Sequence, residues 1–315
     1  SFLGKPGLPE AVDLPVLALK DRIIPGAIET GHLATDPVVH AVVHGLLKCP
    51  LDLIVAGDAL AASEVFPAAG AQAGSDLEEI RGDVPEDFPT FNDFFIRELK
   101  DDARPIDDDA DAIVSPADGT VSVAGPIRGD TIFQAKGLDY TLSDLLGTDL
   151  DEAARYVDGS FATIYLAPYN YHRVHAPLAG ELVAARYVPG DLFSVNAGTV
   201  ARVPGLFRRN ERLVMHFRTA AGPAVVILVG ALNVGSISTP WTGEIRPRKT
   251  GVVDVLDIST HATTVARGDL LGWFNMGSTV ILLLPADACE WDDDLEPGRT
   301  VRMGEEIGAL KELDG

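Results

Sequence analysis

The amino-acid sequence predicts an α+β protein with a mainly antiparallel β core, barrel-like or sandwich-like, and helices at its N-terminal side. Two observations predict this class. Between residues 120 and 284, short segments rich in Val, Ile, Leu and Tyr alternate with Gly and Pro, which is typical of antiparallel strands joined by turns. Before residue 88, helical patches lie in a background rich in Ala, Pro and Gly. Helices in one part of the chain and strands in another favour the α+β class.

Residues 1–88 form the predicted N-terminal region, which is helical and has membrane association as its candidate role. Its most apolar stretch, residues 38–56, is interrupted by His40, His44, Lys48 and Pro50. A transmembrane helix needs about 20 mostly apolar residues, so we expect amphipathic or buried helices here and no span. The first residues also lack the basic-then-apolar pattern of a signal peptide.

Residues 89–315 form the predicted second domain. It opens with a capped helix over residues 90–99, with Phe91, Phe94 and Phe95 on one face. The acidic run at 107–111 lacks the glycine and distal glutamate of a calcium loop, and we interpret it as a solvated linker. The predicted strands are residues 120–123, 161–166, 181–188, 212–217, 224–229, 252–258 and 279–284.

The chain is strongly acidic. Its 47 acidic and 25 basic side chains give a net charge of -22. A surface of this charge repels nucleic acid, so we predict no nucleic-acid partner. Solubility or adaptation to salt explains such acidity, with binding of cationic partners as the alternative. The two cysteines, Cys49 and Cys289, are too few for a disulfide framework or a cysteine-ligated zinc site, and they fit a reducing compartment.

Asp118 is the first candidate catalytic residue. It lies in the run SPADGT, residues 115–120, just ahead of a predicted strand. Asp-Gly is a common turn pair, so an ordinary turn is one interpretation. The functional interpretation is that the Asp118 carboxylate orients and charges a histidine.

His172 and His175 form the second candidate site, within the run YLAPYNYHRVHAP at 165–177. On one helical turn, two residues at this spacing would share a face. Structural histidines, acid–base catalysis and a metal pair are all open interpretations. No third ligand with a suitable spacing follows nearby, so we predict no metal site.

Ser278 is the third candidate, in the run WFNMGSTVILLL at 273–284. A Gly-Ser-Thr sequence before an apolar strand is commonly a turn. It also places a hydroxyl nucleophile directly after an unhindered glycine carbonyl. Glycine allows the strained backbone that an attack by Ser278 on the Gly277 carbonyl would require.

Together, these runs resemble the phosphatidylserine decarboxylase family, in its bacterial membrane-associated form. The resemblance extends from residue 90 to about residue 284, and its ordered set of motifs is specific although each one alone is weak. The matching runs are FNDFFIR (91–97), RPI (104–106), PADG (116–119), QAKG (134–137), YHRVH (171–175), VPGDLFSVN (188–196), FRRNER (207–212), VGA (229–231), VGSI (234–237) and GST (277–279).

The resemblance implies that the chain cuts itself at Gly277–Ser278. Asp118, His175 and Ser278 would form a triad in which His175 removes the serine proton and Asp118 holds the imidazole tautomer. The products would be a β chain, 1–277, and an α chain, 278–315, whose Ser278 becomes a covalent pyruvoyl cofactor. That group is an electron sink for decarboxylation. His172 would transfer a proton or hold the substrate in this second reaction.

The resemblance also implies the substrate, the partners and the location. The reaction would convert phosphatidylserine to phosphatidylethanolamine in phospholipid biosynthesis. The β and α chains would associate as a heterodimer, and the heterodimers as a homo-oligomer. The enzyme would be peripheral on the cytoplasmic face of the cell membrane, although residues 1–88 do not match the basic, aromatic amphipathic helices that are usual in bacterial relatives. Met276 replaces the more usual leucine, a change of similar volume.

An anionic lipid substrate requires a local positive surface on this acidic chain. Arginines dominate residues 202–218, and a second basic cluster follows at residues 246–249. We predict that Arg208 and Arg209, with Phe207 at the tip, contact the substrate or the anionic membrane. Ordinary surface arginines are the alternative.

Two other classes of protein compete with this interpretation. A zinc-dependent hydrolase would use His172 and His175 as ligands and would leave the chain uncut. A lipoyl- or biotinyl-type carrier module would need an exposed lysine at a hairpin tip, for which Lys136 is a poor candidate. Only the pyruvoyl interpretation uses the three candidate sites together.

Overall fold

The computed structural model describes residues 77–84, 86–135, 137–148, 150–232, 236–259, 261–275 and 279–311. The predicted N-terminal helices up to residue 76 lie outside these ranges, as do Lys136 and the predicted cleavage pair Gly277–Ser278. Within the described part of the chain, no helix is long and apolar enough to cross a bilayer.

Most of the regular secondary structure in the described residues is short and medium-length strands. In chain order they are β1 Ala112–Val114, β2 Gly119–Pro126, β3 Thr131–Ala135, β4 Leu138–Thr141, β5 Ser160–Tyr165, β6 Arg173–His175, β7 Gly180–Val188, β8 Arg212–Thr219, β9 Gly222–Val229, β10 Ile237–Thr239, β11 Gly243–Ile245, β12 Asp254–Val255, β13 Thr264–Val265, β14 Leu270–Phe274, β15 Thr279–Leu284, β16 Cys289–Trp291, β17 Thr300–Val301 and β18 Glu306–Leu310.

The helices are short. The α-helices are α1 Phe91–Phe95, α2 Leu142–Leu146, α3 Leu150–Ala153, α4 Ala197–Val200 and α5 Leu206–Arg209, and 3-10 turns occur at Leu77–Glu79 and Ala154–Tyr156. The N-terminus of α1 has the predicted capping box: the Asp93 N–H donates to the Thr90 hydroxyl, and the Thr90 N–H donates to the Asp93 carboxylate. The helix ends at Ile96, earlier than the sequence predicts.

A nine-stranded sheet organises the molecule. Its strand order is β12-β7-β8-β9-β15-β5-β2-β17, with β13 also pairing with β7. All these pairings are antiparallel, which confirms the predicted class of core. The path runs from one edge to the other, and the strands that the structure describes do not close into a barrel.

Strand β15 lies in the middle of this sheet and is buried on both faces. Thr279 is opposite Tyr165 of β5 and Val229 of β9. Val280 and Leu282 pack into one hydrophobic cluster, while Ile281 and Leu283 pack into the other. An unbroken apolar run is what a strand covered on both faces requires, and VILLL supplies it.

Three smaller sheets complete the fold, in the orders β1-β18-β16, β11-β10-β14-β6 and β3-β4. The second of them positions the candidate site, because β14 pairs with β6 and leads into the segment before β15. The predicted strand at 252–258 is reduced to β12.

The segment around Ile80 packs onto the β-rich unit, although the sequence prediction assigns residues up to 88 to the N-terminal region. Ile80 is buried and forms a bridge with Leu99. The Glu79 carboxylate accepts a hydrogen bond from Arg104 at 2.8 Å, so this segment also reaches the candidate site.

Candidate active site

His172 directly precedes β6 and His175 is its last residue, so the two histidines are not on one helical turn. Residues 173–175 are extended and pair with β14, with His175 opposite Leu270. Side chains alternate between the faces of a strand, so a spacing of three directs two side chains to different sides. The expectation of a shared helical face is therefore wrong, because pairing with β14 draws this segment into a sheet.

The His175 ring has a hydrogen-bond partner at each nitrogen. Nδ1 is 2.8 Å from the Gly268 carbonyl oxygen, and Nε2 is 3.0 Å from the Tyr171 hydroxyl. A carbonyl can only accept, so Nδ1 must carry the proton. In the neutral ring, Nε2 then holds a lone pair and accepts from Tyr171. This is the tautomer that a base acting through Nε2 requires.

Burial sets the protonation states of this pair. Desolvation, with a smaller effect of Arg173, lowers the pKa of His175 below its ordinary value despite the opposing Gly268 hydrogen bond. Burial also raises the pKa of Tyr171 to about 12, so its phenol keeps its proton at neutral pH. The site therefore contains a neutral imidazole whose basic nitrogen faces a hydroxyl group.

Asp118 is held by an arginine that the sequence analysis did not single out as a site residue. Arg104 donates from Nε to Oδ1 at 2.8 Å and from Nη2 to Oδ2 at 2.6 Å, and the Met303 N–H donates to Oδ1 at 2.9 Å. Both partners are buried. Burial alone would lower the pKa of Arg104, but the hydrogen bonds and charge of Asp118 outweigh it, and the pKa is raised.

Asp118 acts on His175 through its charge. The His175 N–H donates to the Pro116 carbonyl at 2.8 Å, which keeps the two segments adjacent, and the Asp118 charge favours the protonated imidazole. In this structure the Gly268 carbonyl, rather than Asp118, receives the Nδ1 proton. The carboxylate oxygens instead bind Arg104, whose planar fork matches a carboxylate.

His172 is fully buried and has one unpartnered nitrogen. Its Nδ1 donates to the Asn170 carbonyl at 2.8 Å, while Nε2 has no hydrogen-bond partner. The Phe95 ring packs against the imidazole with a centroid distance of 3.9 Å. Desolvation, and next the charge of Arg97, lower the pKa of His172 to about 3. A neutral imidazole with a free lone pair is thus buried beside β14.

The described residues nearest to the predicted cleavage pair are Asn275 and Thr279. The Phe274 N–H donates to the His172 carbonyl at 3.2 Å, and Asn275 donates to the Ser236 and Ser238 hydroxyls at 2.7 and 3.1 Å. Thr279 begins β15, and its buried hydroxyl has no partner. The described residues closest in sequence to the predicted cleavage pair are therefore Asn275, just after β14, and Thr279, at the start of the strand in the middle of the large sheet.

The predicted lipid-contact residues differ in exposure. The side chains of Arg208 and Arg209 are 44% and 41% exposed and pair with Asp144 and Asp191. Phe207 is only 1% exposed and belongs to a core cluster. The prediction that Phe207 forms an apolar tip is wrong, because the first turn of α5 turns this ring into the core.

In the part of the chain that the structure describes, the two histidines are not part of a cluster of potential metal ligands. Within the described ranges, no group of three or more His, Cys, Asp or Glu side chains could hold a metal ion. Both Nδ1 atoms already donate to backbone carbonyls. The zinc-hydrolase alternative thus gains no support from this arrangement.

Sequence reasoning missed Arg104, Tyr171 and Arg97 as site residues. Each lies within a run that was quoted for the family resemblance, so a signal was available. A buried carboxylate requires a cation or several donors, and this rule could have directed attention from Asp118 to Arg104. Nothing in the local pattern indicates which cation it is.

The fold is β-rich, and its candidate site contains two neutral imidazoles and one arginine-bound carboxylate. The family model of phosphatidylserine decarboxylase matches residues 91–309 of the chain. The chain therefore belongs to the phosphatidylserine decarboxylase family, and the prediction that it is a decarboxylase is confirmed.

Curated relatives resemble the chain over most of its length. The phosphatidylserine decarboxylase proenzyme of Saccharophagus degradans is 49% identical over 227 residues, which cover 72% of this chain and 79% of the relative. That of Shewanella sediminis is 48% identical over 241 residues, covering 75% and 84%. That of Nitrosococcus oceani is 48% identical over 238 residues, covering 75% and 78%.

Proposed function

We propose that this chain cuts itself between Gly277 and Ser278 and then decarboxylates phosphatidylserine to phosphatidylethanolamine. One observation carries the proposal: the neutral imidazoles of His172, buried just before β6, and His175, half-buried at the end of β6, each have a lone pair on Nε2, and β6 pairs with β14, the strand that precedes residues 276–278. The relatives are named proenzymes, which supports self-processing.

His175 is the base of the self-cleavage reaction. Its Nδ1 carries a proton and donates it in a hydrogen bond to the Gly268 carbonyl. Nε2 is therefore the atom that can take the Ser278 hydroxyl proton. The serine oxygen then attacks the Gly277 carbonyl carbon, and an ester replaces the peptide bond. In this structure the Tyr171 hydroxyl donates to Nε2. The Ser278 hydroxyl must replace it as the donor before His175 can take the serine proton.

Asp118 stabilises the imidazolium that forms on His175. Its charge raises the proton affinity of His175, and Arg104 and the Met303 N–H hold the carboxylate in place by hydrogen bonds. This electrostatic role does not require a direct hydrogen bond between the carboxylate and Nδ1.

The cofactor produced at Ser278 is a covalent pyruvoyl group. Two buried polar atoms in the described part of the chain have no hydrogen-bond partner, namely His172 Nε2 and the hydroxyl of Thr279, the residue after Ser278, and unpartnered atoms of this kind suit a polar group. When present, a pyruvoyl group supplies an electron sink for the pair of electrons left by carbon dioxide. His172 takes a proton at Nε2 from the substrate amine and later returns it.

A basic patch on one side of the molecule is the proposed contact with anionic lipid. We define it as Arg208, Arg209, Arg248 and Lys249. Asp191 joins its two halves, since its carboxylate lies 3.8 Å from Arg209 and 3.7 Å from Lys249. Val252, 77% exposed, follows directly and offers the apolar contact that Phe207 does not. At this patch the enzyme would act as a peripheral protein on the cytoplasmic membrane face.

Charge reversal tests the basic patch. Arg208→Glu with Arg209→Glu should weaken binding to vesicles that contain phosphatidylserine at least about tenfold, because each basic residue near such a surface contributes about 1 kcal/mol. Arg218→Glu is the matched control: Arg218 is exposed at the far end of β8. Equal binding by the double variant and the control would contradict this contact.

Intact mass under denaturing conditions tests self-cleavage. The native chain should give two fragments that meet at Gly277–Ser278, the smaller with a ketone in place of its N-terminal amine. Ser278→Ala should remain one species of 33.4 kDa less one oxygen, and His175→Ala should slow cleavage at least about 100-fold. An uncut native chain after long incubation would refute self-processing, and absence of phosphatidylethanolamine formation by the cut protein would refute the lipid reaction.

A further inference from the structure

Arg97 is a buried cation with neutral partners. It follows α1 and is 5% exposed, and its Nη2 donates to the carbonyls of Tyr169 and Asn170 at 3.1 and 3.3 Å. Its guanidinium carbon lies 5.1 Å from the centre of the Phe94 ring. Nε has no hydrogen-bond partner, and in the described ranges no carboxylate lies within ion-pair distance of it. Burial lowers the pKa of Arg97 to about 10, so it stays charged at neutral pH.

Arg97 and His172 bind the same acceptor. The Asn170 carbonyl receives Nη2 of Arg97 and Nδ1 of His172. Since the carbonyl cannot donate, it fixes the His172 proton on Nδ1 and leaves the lone pair on Nε2. Phe95, one helical residue from Phe94, packs on the ring and fixes its plane. The end of α1 thus supplies a cation and an aromatic surface to one imidazole.

A second positive charge in this site is unfavourable. Protonated His172 would share a carbonyl with a guanidinium in a region without solvent, where like charges repel strongly. Burial and then Arg97 oppose protonation, and only the Asn170 hydrogen bond favours it; Arg97 is the one charged group in the described structure with a resolved effect on His172. Arg173, three residues from Asn170, acts on His175 instead.

We propose that Arg97 is a positioning residue for His172: it holds the Asn170 carbonyl that orients the imidazole, and its charge adds to burial in keeping the ring neutral with a lone pair on Nε2. The inference rests on the proposed function, in which His172 moves a proton. The Nε2 lone pair forms the new N–H bond, the amine nitrogen keeps the electrons of the bond it loses, and the same proton later goes to the carbon that lost carbon dioxide. A ring already protonated could not begin this sequence.

The first test uses the full chain labelled with ¹⁵N-histidine, with the His172 signals assigned by comparison with His172→Gln. Long-range ¹H–¹⁵N spectra over a pH range report the tautomer and the titration of each ring. In the native chain we expect His172 to stay neutral, with its proton on Nδ1, throughout the accessible acidic range. In Arg97→Gln its proton affinity should rise at least about tenfold, whereas Arg97→Lys, which retains the charge, should keep the ring neutral.

Arg173→Gln is the matched control, because it should move the titration of His175 and leave His172 unchanged. Unchanged titration and tautomer of His172 in Arg97→Gln would overturn the inference. If that variant does not fold, Arg97→Lys remains decisive: a ring in Arg97→Lys that titrates like a solvent-exposed histidine would overturn it equally.

The pH profile of decarboxylation separates this role from a purely structural one. In Arg97→Gln the acid limb of kcat should move to higher pH, because a more basic His172 is protonated at higher pH. A uniform loss at all pH values would indicate a structural role only and would contradict the inference. Native activity in His172→Ala would refute the proposed role of His172, while the spectra would still report the effect of Arg97 on the ring.

Discussion

At the residue scale, Asp118 and Arg104 bury two opposite charges together. Their side chains are each 8% exposed and joined by two hydrogen bonds. Removing one partner of a buried pair leaves the other charge without compensation, and this costs more than the pair contributes. The integrity of the Asp118 carboxylate therefore depends on a residue in a different run of the sequence.

Arg104→Met should lower the free energy of unfolding by about 3–5 kcal/mol, because it leaves Asp118 buried and unpaired. Urea unfolding of the uncleaved Ser278→Ala background measures this. Arg302→Met is the control: Arg302 is exposed and pairs with Glu79 at 3.0 Å, so its loss should cost at most about 1 kcal/mol. If Arg104→Met lowered the free energy of unfolding as little as the control does, the Arg104–Asp118 pair would not be a structural ion pair.

A second buried histidine network lies away from the site. His216 is buried, its Nε2 is 2.8 Å from Arg186 Nη1, and its Nδ1 is 3.4 Å from a Glu152 oxygen. Desolvation, and next Arg186, lower the pKa of His216 to about 4. The folded state therefore binds the proton less readily than the unfolded state, whose histidine has a pKa of about 6.5.

Acidification should destabilise the protein through His216. A depressed pKa in the folded state contributes stability that is present above about pH 6.5 and is lost as the pH falls towards about 4, in total roughly 3 kcal/mol. His216→Gln should reduce the pH dependence of the free energy of unfolding. The variant is compared with the native chain because the lowered pKa values of His172 and His175 contribute a pH dependence of the same sign to both proteins. Identical slopes for the two proteins between pH 7.5 and 4 would contradict the prediction.

At the element scale, the close approach of β2 to β5 sets the position of Asp118. Gly119 begins β2, and a Cβ at this position would lie 2.5 Å from the Tyr165 carbonyl oxygen and 2.7 Å from an Ile164 methyl group. A backbone atom cannot rotate away as the end of a side chain can. A side chain at position 119 would therefore push β2 away from β5. Asp118 is the preceding residue and would move with it.

Gly119→Ala should cost about 1–3 kcal/mol of stability and slow self-cleavage, because the displaced Asp118 acts less well on His175. Gly198→Ala in α4 is the control. A Cβ there meets only the Asn196 side-chain oxygen, at 3.4 Å, and alanine in a helix is worth roughly 0.5–1 kcal/mol over glycine. Native cleavage by Gly119→Ala, followed by mass spectrometry, would show that strand placement does not control the site.

At the scale of the whole molecule, the proposed cleavage would divide the sheets between two chains. Strands β15 to β18 belong to the smaller fragment, and β15 lies between β9 and β5 of the larger one. In addition, β17 pairs with β2, and β18 pairs with β1. The apolar side chains of β15 occupy both core clusters, so separation of the fragments would expose the core.

The two fragments should therefore stay associated after cleavage. We expect one peak in native size-exclusion chromatography that contains both fragments, and separation only in denaturant. The same experiment with light scattering reports whether the heterodimers form a homo-oligomer. Release of the smaller fragment without denaturant would contradict a shared core.

The sequence by itself determined the strand-rich class, most strand positions and the capped start of α1, because these depend on local periodicity and on neighbours within a few residues. The ordered motifs indicated the family that the family model also matched. Local patterns gave two wrong predictions. Phe207 lies among arginines in the sequence yet is buried, and residues 252–258 are mostly apolar yet only two of them form a strand.

Only the tertiary structure decided the partners within the site. Gly268 and His175 are 93 residues apart, and Arg97 and Asn170 are 73 apart. The β6–β14 pairing and the end of α1 bring these groups together, and no local pattern encodes such distances. The physical reason is that an imidazole's proton position and pKa depend on burial and on the nearest charges, which are properties of the folded chain.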